Sequence, residues 1–239
     1  MYDISTFSLS DMTRCGAALR KLGADARSME EAAGRIVRCL HEDMRSSSGE
    51  RDCVLARTFI TMPYAQLPAE LQVFAARIVP EIVETPELKC LTLLATAGEE
   101  PAWNDRRASV AHRALPLTSA ESIARSPMIS QLIRQLGVEI GTLLTPSEMI
   151  VDNTQHSFNV FHVPDAVGSP HIPAQQQFVI PYGVQSVLGF GGLLPPGELF
   201  ATILFTRTRV PREVAERFKT LALNVKVALL PFAGVRTFT

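Results

Sequence analysis

Residues 9–44 show the spacing of apolar positions that is typical of amphipathic helices. Ser10 and Asp11 provide a polar helix start at the front of this segment. A second start follows at Ser28, because Ser28 and Glu31 have the separation of a capping box. The pattern therefore predicts a helical N-terminal region in which a new helix begins after Ser28.

Two apolar runs in the middle of the chain have the composition of β-strands. The run at residues 53–60 is rich in β-forming side chains and is closed by Pro63, and a second run follows at residues 88–95. Between them, Pro68 stands at the start of a helical stretch that reaches Arg77. The middle of the chain is therefore predicted to contribute two strands with a helix between them.

Two long polar connections separate the remaining elements. One spans residues 98–119 and contains the only tryptophan, and the other spans residues 152–177. A helix is predicted between them near residues 127–137, with Gly137 as its C-terminal cap. Because binding residues concentrate on long ordered loops over a rigid sheet, both connections are candidates for the functional site.

A strand, a turn, a second strand and a helix close the chain in that order. Residues 179–207 predict two strands that are joined by the glycine- and proline-rich segment 191–197. Pro211 then opens a helix with two apolar faces: Val214, Phe218, Leu221, Val225 and Ala228 on one, and Leu223, Val227 and Leu230 on the other. A helix that is apolar on two sides is expected to be buried on two sides.

Gly192 and Gly197 have the spacing of a phosphate-binding loop, but the other chemical parts of such a loop are missing. Lysine and a hydroxyl residue follow the second glycine of that loop, whereas Glu198 and Leu199 follow it here. A carboxylate repels phosphate, and two adjacent prolines remove backbone N–H donors. The segment is therefore predicted to be a hairpin turn, and the order of elements indicates an α+β fold with an antiparallel sheet.

Composition and charge argue against several classes of protein. The 239-residue chain is 46% hydrophobic, and its formal net charge of −1 offers no basic surface for nucleic acid. The sequence contains no apolar run of membrane-spanning length and no secretory signal. The four cysteines lack metal-binding spacing, which indicates free thiols. We therefore expect a cytoplasmic protein without nucleic acid or membrane partners.

Three C-terminal segments resemble the closing part of GAF/PAS-like sensory domains: residues 181–192, 197–205 and 211–230. Three others resemble the N-terminal sensor regions of bacterial histidine kinases: residues 103–106, 159–164 and 168–174. The resemblance implies a central antiparallel sheet flanked by N-terminal and C-terminal helices. It also implies a division into N-terminal helices, a sensor domain and a tail: residues 1–48, 49–232 and 233–239.

The same resemblance implies a signal-transduction sensor domain that binds a small ligand. Ligand occupancy would be relayed through the terminal helices or through a homodimer that these helices form. The phosphoacceptor box and the ATP-binding glycine boxes of a histidine kinase are absent from the sequence. Two alternatives are therefore open: an excised sensor region that has a kinase or another output domain as its partner, or a stand-alone regulator. The sequence names neither the ligand nor a cofactor.

Six residues in or near the long connections are predicted to bind the ligand: Trp103, Asn104, Arg106, His112, His162 and Tyr182. The alternative for the loop residues is a network that only holds the loop in place. The alternative for His162 is a histidine that is hydrogen-bonded to the backbone. The spacing of His156, His162 and His171 matches no standard zinc or haem motif, so no metal site is predicted and haem is left open.

Catalytic motifs are lacking, which favours a binding protein over an enzyme. Neither a Gly-x-Ser-x-Gly elbow nor a His-Glu-x-x-His motif occurs, and no catalytic residue is predicted. Two alternatives stay open. One is a thiol-dependent enzyme that uses Cys53 or Cys90, although both lie in predicted strands, where packing is the usual role. The other is an interaction module that binds no ligand and has a filled core.

Overall fold

The structure is a computed structural model that describes residues 1–144, 159–195 and 197–239. Its strands are, in chain order, β1 (Tyr2–Asp3), β2 (Met44–Arg45), β3 (Cys53–Pro63), β4 (Lys89–Gly98), β5 (Ala114–Pro116), β6 (Phe161–Val163), β7 (Ser186–Leu194) and β8 (Glu198–Thr206). Its helices are α1 (Leu9–Lys21), α2 (Met29–Asp43), α3 (Ala69–Ile78), α4 (Ala120–Ala124), α5 (Pro127–Leu136), α6 (Ile140–Leu144), α7 (Arg212–Ala215) and α8 (Phe218–Leu229).

Six of the strands form one antiparallel sheet in the order β5-β4-β3-β8-β7-β6. The central strand β3 pairs with β4 on one side and with β8 on the other, so Arg57 lies between Thr96 and Ile203. The predicted α+β class, an antiparallel sheet flanked by N-terminal and C-terminal helices, is confirmed. The two predicted middle strands are confirmed as β3 and β4, each longer at its C-terminal end than predicted.

The predicted hairpin is formed by β7 and β8, but its turn is shorter than predicted. Leu194 pairs with Glu198, so the residues from Gly191 to Leu194 belong to strand β7 and not to the turn. Glycine is required at position 191, because a Cβ there would lie 2.2 Å from the carbonyl oxygen of Phe200. Pro196, which falls within the predicted turn, lies outside the described residues.

The N-terminal region contains two helices, and the second begins after Ser28 as predicted. The predicted start of the first helix is wrong, because Ser8 and not Ser10 is its cap. The Ser8 Oγ accepts a hydrogen bond from the Asp11 N–H at 3.1 Å, and Asp11 Oδ2 accepts one from the Ser8 N–H at 3.0 Å. Ser28 Oγ accepts from the Glu31 N–H at 3.1 Å, but the Glu31 carboxylate binds arginine side chains instead of completing the capping box.

Helices α1, α2 and α8 cover one face of the sheet. Leu19 of α1 and Ile36 and Leu40 of α2 are fully buried there, together with Leu204 of β8 and Phe218 of α8. Burying apolar side chains stabilises the fold by about 25 cal/mol per Å² of apolar surface. Each of the three segments predicted from the sequence supplies side chains to this core: residues 1–48, 49–232 and 233–239.

The C-terminal residues pack against the beginning of α2. The backbone N–H groups of Met29 and Glu30 donate to the carbonyl oxygens of Arg236 and Thr237 at 3.0 and 2.8 Å. The first N–H groups of a helix have no partner within the helix. The end of the chain supplies acceptors for two of them and is thereby attached to α2.

Helix α8 is buried along one apolar face and open along the other. The single helix predicted from Pro211 is divided into α7 and α8. All five residues of the predicted seam are buried, one in α7 and four in α8: Val214, Phe218, Leu221, Val225 and Ala228. Leu223, Val227 and Leu230 are 64%, 42% and 44% exposed. The described part of the chain therefore does not provide the expected burial of a second apolar face.

Helix α5 and the long connections cover the opposite face of the sheet. Pro127 stands at the start of α5, and Gly137 caps its end with a left-handed φ of 78°, so the predicted helix at residues 127–137 is confirmed. Leu132, Ile133 and Leu136 are buried in a second core on this face. The sheet therefore separates a face covered by helices from a face covered mainly by loops.

Candidate functional site

A cavity of about 290 Å³ lies between the sheet and α5. Strand residues form its floor: Leu55, Arg57, Phe59, Leu91, Leu115, Ile203 and Phe205. Residues of α5 form its roof: Met128, Ile129 and Leu132. Residues of the connections complete its walls: Trp103, His112, Ile172, Pro173, Ala174, Gln177 and Phe178. The lining is largely apolar, which is the usual composition of a small-molecule site.

Strand alternation gives the floor its composition. Leu55, Arg57 and Phe59 occupy alternate positions of β3, so their side chains share one face of the sheet. The residues between them, such as Ala56, are buried in the core on the helical face. The same alternation in β8 places Ile203 in the cavity floor.

Four aromatic rings enclose one side of the cavity. The ring of Trp103 lies 5.5 Å from that of Phe178 and 4.7 Å from that of Tyr182, and Phe178 lies edge-on to Phe205 at 5.0 Å. The Tyr182 hydroxyl donates to Glu100 Oε1 at 3.0 Å. Ring pairs at these separations contribute about 0.5–1.5 kcal/mol beyond burial, so the cluster holds Trp103 against the cavity.

Two titratable side chains, Arg57 and His112, line the cavity. Desolvation lowers the pKa of Arg57 below its ordinary value, and Arg57 Nε is buried without a hydrogen-bond partner. His112 lies at the open mouth with a left-handed φ of 63°. Desolvation of its ring, and secondly the charge of Arg57, lower the pKa of His112. A positive charge therefore faces an apolar space.

The structure separates the six residues that the sequence predicts as ligand-binding. Trp103 and His112 line the cavity, and Tyr182 contacts its wall through Trp103 and Phe178. Asn104 is directed back to the backbone: its Nδ2 donates to the carbonyl oxygen of Gly98 at 2.9 Å, and its Oδ1 accepts from the Gly98 N–H at 3.1 Å. These bonds close the turn that carries Trp103.

Arg106 lies on the helical side of the sheet. It forms ion pairs with Glu30 of α2 and Glu70 of α3, and its guanidinium lies 4.7 Å from the centre of the Phe238 ring. Its side chain is only 5% exposed. A second cavity, of about 270 Å³, is lined by Arg106 and Asn104 together with residues of α2 and Thr239.

His162 lies in β6, at the edge of the sheet away from the aromatic cluster. Its Nε2 is 2.9 Å from the carbonyl oxygen of Val210, and desolvation by burial lowers its pKa. His171 lies in the neighbouring loop, where its N–H donates to Ser169 Oγ at 3.3 Å. His156 lies outside the described residues. Within residues 1–144, 159–195 and 197–239, no group of three or more His, Cys, Asp or Glu residues is arranged to hold a metal ion.

Sequence reasoning missed Arg57, the residues of α5 and Phe178. Arg57 is the only charged residue in the apolar run at residues 53–60, and that interruption is the signal that marks it. The apolar pattern of α5 was recognised as a helix, but local sequence contains nothing that places Met128 opposite β3. Phe178 belongs to a single π-helical turn, Gln175–Val179, which has no clear sequence signature.

The thiols have the chemistry of buried side chains. Burial raises the pKa of Cys15 and Cys90 to about 12 and that of Cys39 to about 11, and it also raises the pKa of Cys53. A thiolate, not a thiol, is the nucleophile in cysteine chemistry. These four side chains are therefore protonated near neutral pH.

Comparisons with known proteins return structures but no family. No family model matches the chain, and no curated protein matches it. Bacteriophytochrome RpBphP3 from the photosynthetic bacterium R. palustris is 10% identical over 95% of this chain and 38% of its own, with a TM-score of 0.41. The chromophore-binding domain of the same protein is 10% identical over 95% of this chain and 63% of its own, with a TM-score of 0.42.

A third structure is the N-acylhomoserine lactone-dependent LuxR family transcription factor CepR2 from Burkholderia cenocepacia. It is 10% identical over 94% of this chain and 99% of its own, with a TM-score of 0.38. The chain thus spans 38% and 63% of the two bacteriophytochrome chains. Likenesses at this level assign no family. Among the helices in the described part of the chain, none has both the length and the apolar character needed to cross a membrane.

Proposed function

We propose that this protein is a signal-transduction sensor domain of the GAF/PAS-like type, in which residues 49–232 bind a small, mostly apolar ligand. The observation that carries the proposal is the cavity between the sheet and α5, with a volume of about 290 Å³. Small-molecule sites are typically apolar clefts of roughly 300–1,000 Å³ with a few polar groups. A module that binds only other proteins needs no such cavity, so the cavity favours a ligand-binding function.

We propose that the segment from Gly98 to Ala108 relays ligand occupancy to the terminal helices. Trp103 lines the cavity, and Arg106 forms an ion pair with Glu30 at the beginning of α2. The bonds of Asn104 to Gly98 make the intervening turn a stiff connection. A ligand that moves Trp103 therefore displaces Arg106 and alters the packing of α2 and the C-terminal residues.

We also propose a homodimer that forms through α8 and passes the signal to a kinase or another output domain. The support is the exposed apolar stripe of Leu223, Val227 and Leu230. Lys219 and Lys226 lie one helical turn from Leu223 on either side, and the apolar side chains of the stripe can pack against the same stripe of a second copy across a two-fold axis. The four free cysteines fit the cytoplasmic location that the sequence indicates.

The thiol-enzyme alternative receives less support. Its candidates, Cys53 and Cys90, are fully buried, and their raised pKa values leave them protonated. Neither lines the cavity next to α5. A reactive cysteine instead needs partial exposure and a lowered pKa.

Titration of the purified chain with decanol and decanoate tests the cavity. Trp103 is the only tryptophan, so its fluorescence reports directly on the wall of the site. We expect saturable quenching and a raised Tm with at least one of the two probes. Ile129→Trp fills the cavity and should abolish the rise in Tm, whereas Ile180→Trp, at an exposed position outside the cavity, should preserve it. If neither decanol nor decanoate binds saturably, the ligand-binding proposal is refuted.

Hydrogen exchange tests the relay. The Met29 and Glu30 N–H groups are bonded to Arg236 and Thr237 at the far end of the proposed route. We expect their exchange rates to change when a probe occupies the cavity, and we expect Arg106→Met to remove that change. Unchanged exchange at saturating probe would contradict the relay.

Sedimentation velocity tests the homodimer. We expect a dimer for the natural chain and a monomer for the double substitution of Leu223→Glu and Val227→Glu. The matched control is a pair of substitutions at exposed apolar positions on other helices, Val73→Glu and Leu9→Glu. A monomeric natural chain at high concentration would refute the dimer without affecting the cavity proposal.

A further inference from the structure

Arg57 is held at the centre of the cavity floor. It belongs to the central strand β3, with Thr96 of β4 on one side and Ile203 of β8 on the other. Leu55 and Phe59 flank it on the same face. Strands on both sides fix the backbone of Arg57, so the guanidinium cannot leave the cavity through a loop movement.

The charge of Arg57 has no counter-charge within the described protein. Its Nε is buried without a hydrogen-bond partner, and none of the ion pairs among the described residues includes Arg57. By contrast, the guanidinium of Arg106 has Glu30 and Glu70 beside it, and that of Arg207 has Glu99. A charged group removed from water is unfavourable unless it is paired. Arg57 lines the cavity without such a partner among the described residues.

The rest of the cavity lining supplies no anion. Its described members are apolar except for Arg57, His112, Gln177 and the indole N–H of Trp103, and none is Asp or Glu. His112 is close enough to Arg57 for the arginine charge to lower the pKa of the imidazole. Both side chains can donate hydrogen bonds to the same bound anion.

We propose that the ligand of this cavity is an amphipathic organic acid, whose carboxylate binds the Arg57 guanidinium and whose apolar part lies against Leu55, Phe59, Leu91 and Leu132. The inference rests on the proposed ligand-binding function and adds the chemical class of the ligand. A guanidinium matches a carboxylate with two parallel N–H···O bonds. The acid supplies a counter-charge that the described residues do not provide, and its hydrocarbon part fills the apolar space under α5.

Matched probes separate this inference from the cavity proposal itself. Decanoate, decanol and decylamine share one hydrocarbon chain and differ in the charge of the head group, and each is titrated below the concentration at which it forms micelles. Because hydrogen bonds to charged groups are among the strong ones, we expect decanoate to bind at least about tenfold more tightly than decanol. Decylamine is expected to bind more weakly than decanol, because its charge has the same sign as that of Arg57.

Variants then assign the preference to Arg57. Arg57→Met should bind decanoate and decanol with similar affinity, and Arg57→Lys should retain part of the preference because it retains the charge. Arg134→Met, at an exposed position of α5 outside the cavity, should behave as the natural chain does. Circular dichroism checks that each variant is folded. Because the comparison of probes on the natural chain requires no variant, loss of folding in Arg57→Met does not remove the test.

Three outcomes overturn the inference in different ways. Equal affinity of the natural chain for decanoate and decanol would show a ligand-binding cavity that does not select acids, which refutes the inference and leaves the proposed function intact. No binding of any of the three probes would refute both. A decanoate preference that persists in Arg57→Met would show that another group selects the carboxylate.

Discussion

Glu198 provides a sharp test of the electrostatics of this fold. It begins β8 and is only 7% exposed, and its Oε2 has no hydrogen-bond partner. Desolvation by burial raises the pKa of Glu198 from 4.5 to about 7, although the charge of Lys89 acts in the opposite direction. Lys89 is buried as well, and its Nζ has no hydrogen-bond partner. Neutralising the carboxyl group therefore removes a buried charge.

The sign of the pH dependence follows from the raised pKa. Well below pH 4.5, the carboxyl group of Glu198 is protonated in both the folded and the unfolded chain, and the free energy of unfolding carries no penalty from ionisation of this group. As the pH rises toward 7, the unfolded chain releases this proton while the folded chain retains it, so the free energy of unfolding falls. A rise in pKa from 4.5 to about 7 corresponds to a loss of about 3 kcal/mol, at roughly 1.4 kcal/mol per pKa unit.

Urea unfolding of Glu198→Gln and of the natural chain between pH 4.5 and pH 8.5 measures this loss. We expect the variant to gain stability relative to the natural chain by about 3 kcal/mol across that range. The difference between the two proteins is the informative quantity, because the titration of other groups cancels in it. A difference between Glu198→Gln and the natural chain that does not change with pH would refute the reasoning.

Three further predictions concern stability and thiol reactivity. Arg106→Met should lower the free energy of unfolding by about 3–5 kcal/mol in urea titrations, because it leaves a buried ion pair without its cation. Gly191→Ala should lower the free energy of unfolding by about 1–3 kcal/mol, because its Cβ would lie 2.2 Å from a carbonyl oxygen. Gly34→Ala, in the interior of α2 with no atom closer than 3.6 Å to the new Cβ, should raise it by about 0.5–1 kcal/mol. Equal effects of the two substitutions would contradict the close approach of β7 and β8. Iodoacetamide at neutral pH should modify the half-buried Cys39 before the fully buried Cys53, as followed by peptide mass spectrometry; rapid labelling of Cys53 would instead favour the thiol-enzyme alternative.

Local sequence determined the elements of the fold, because their causes lie within a few residues. Ser28 sets the start of α2, Pro127 and Gly137 set the ends of α5, and strand composition marked β3 and β4. The same reasoning missed the start of α1. Ser8 and Ser10 are both cap residues by type, and only the bond of Ser8 to Asp11 distinguishes them.

The tertiary structure decided which of the candidate residues share one site. Trp103 and Arg106 are three positions apart in sequence, yet the turn that follows β4 places them beside different cavities. The π-helical turn brings Phe178 against Trp103, although the two residues are 75 positions apart in the sequence. Sequence spacing carries no information about such contacts.

Arg57 illustrates both what local sequence determines and what only the tertiary structure decides. The sequence determined that an arginine interrupts an apolar strand, and strand alternation determined that it shares a face with Leu55 and Phe59. Only the assembled structure decided that none of the described carboxylates pairs with it and that an apolar cavity opens in front of it. Helix caps and strand patterns depend on neighbours along the chain, whereas burial and charge compensation depend on neighbours in space, and those exist only once the sheet, α5 and the connections have packed together.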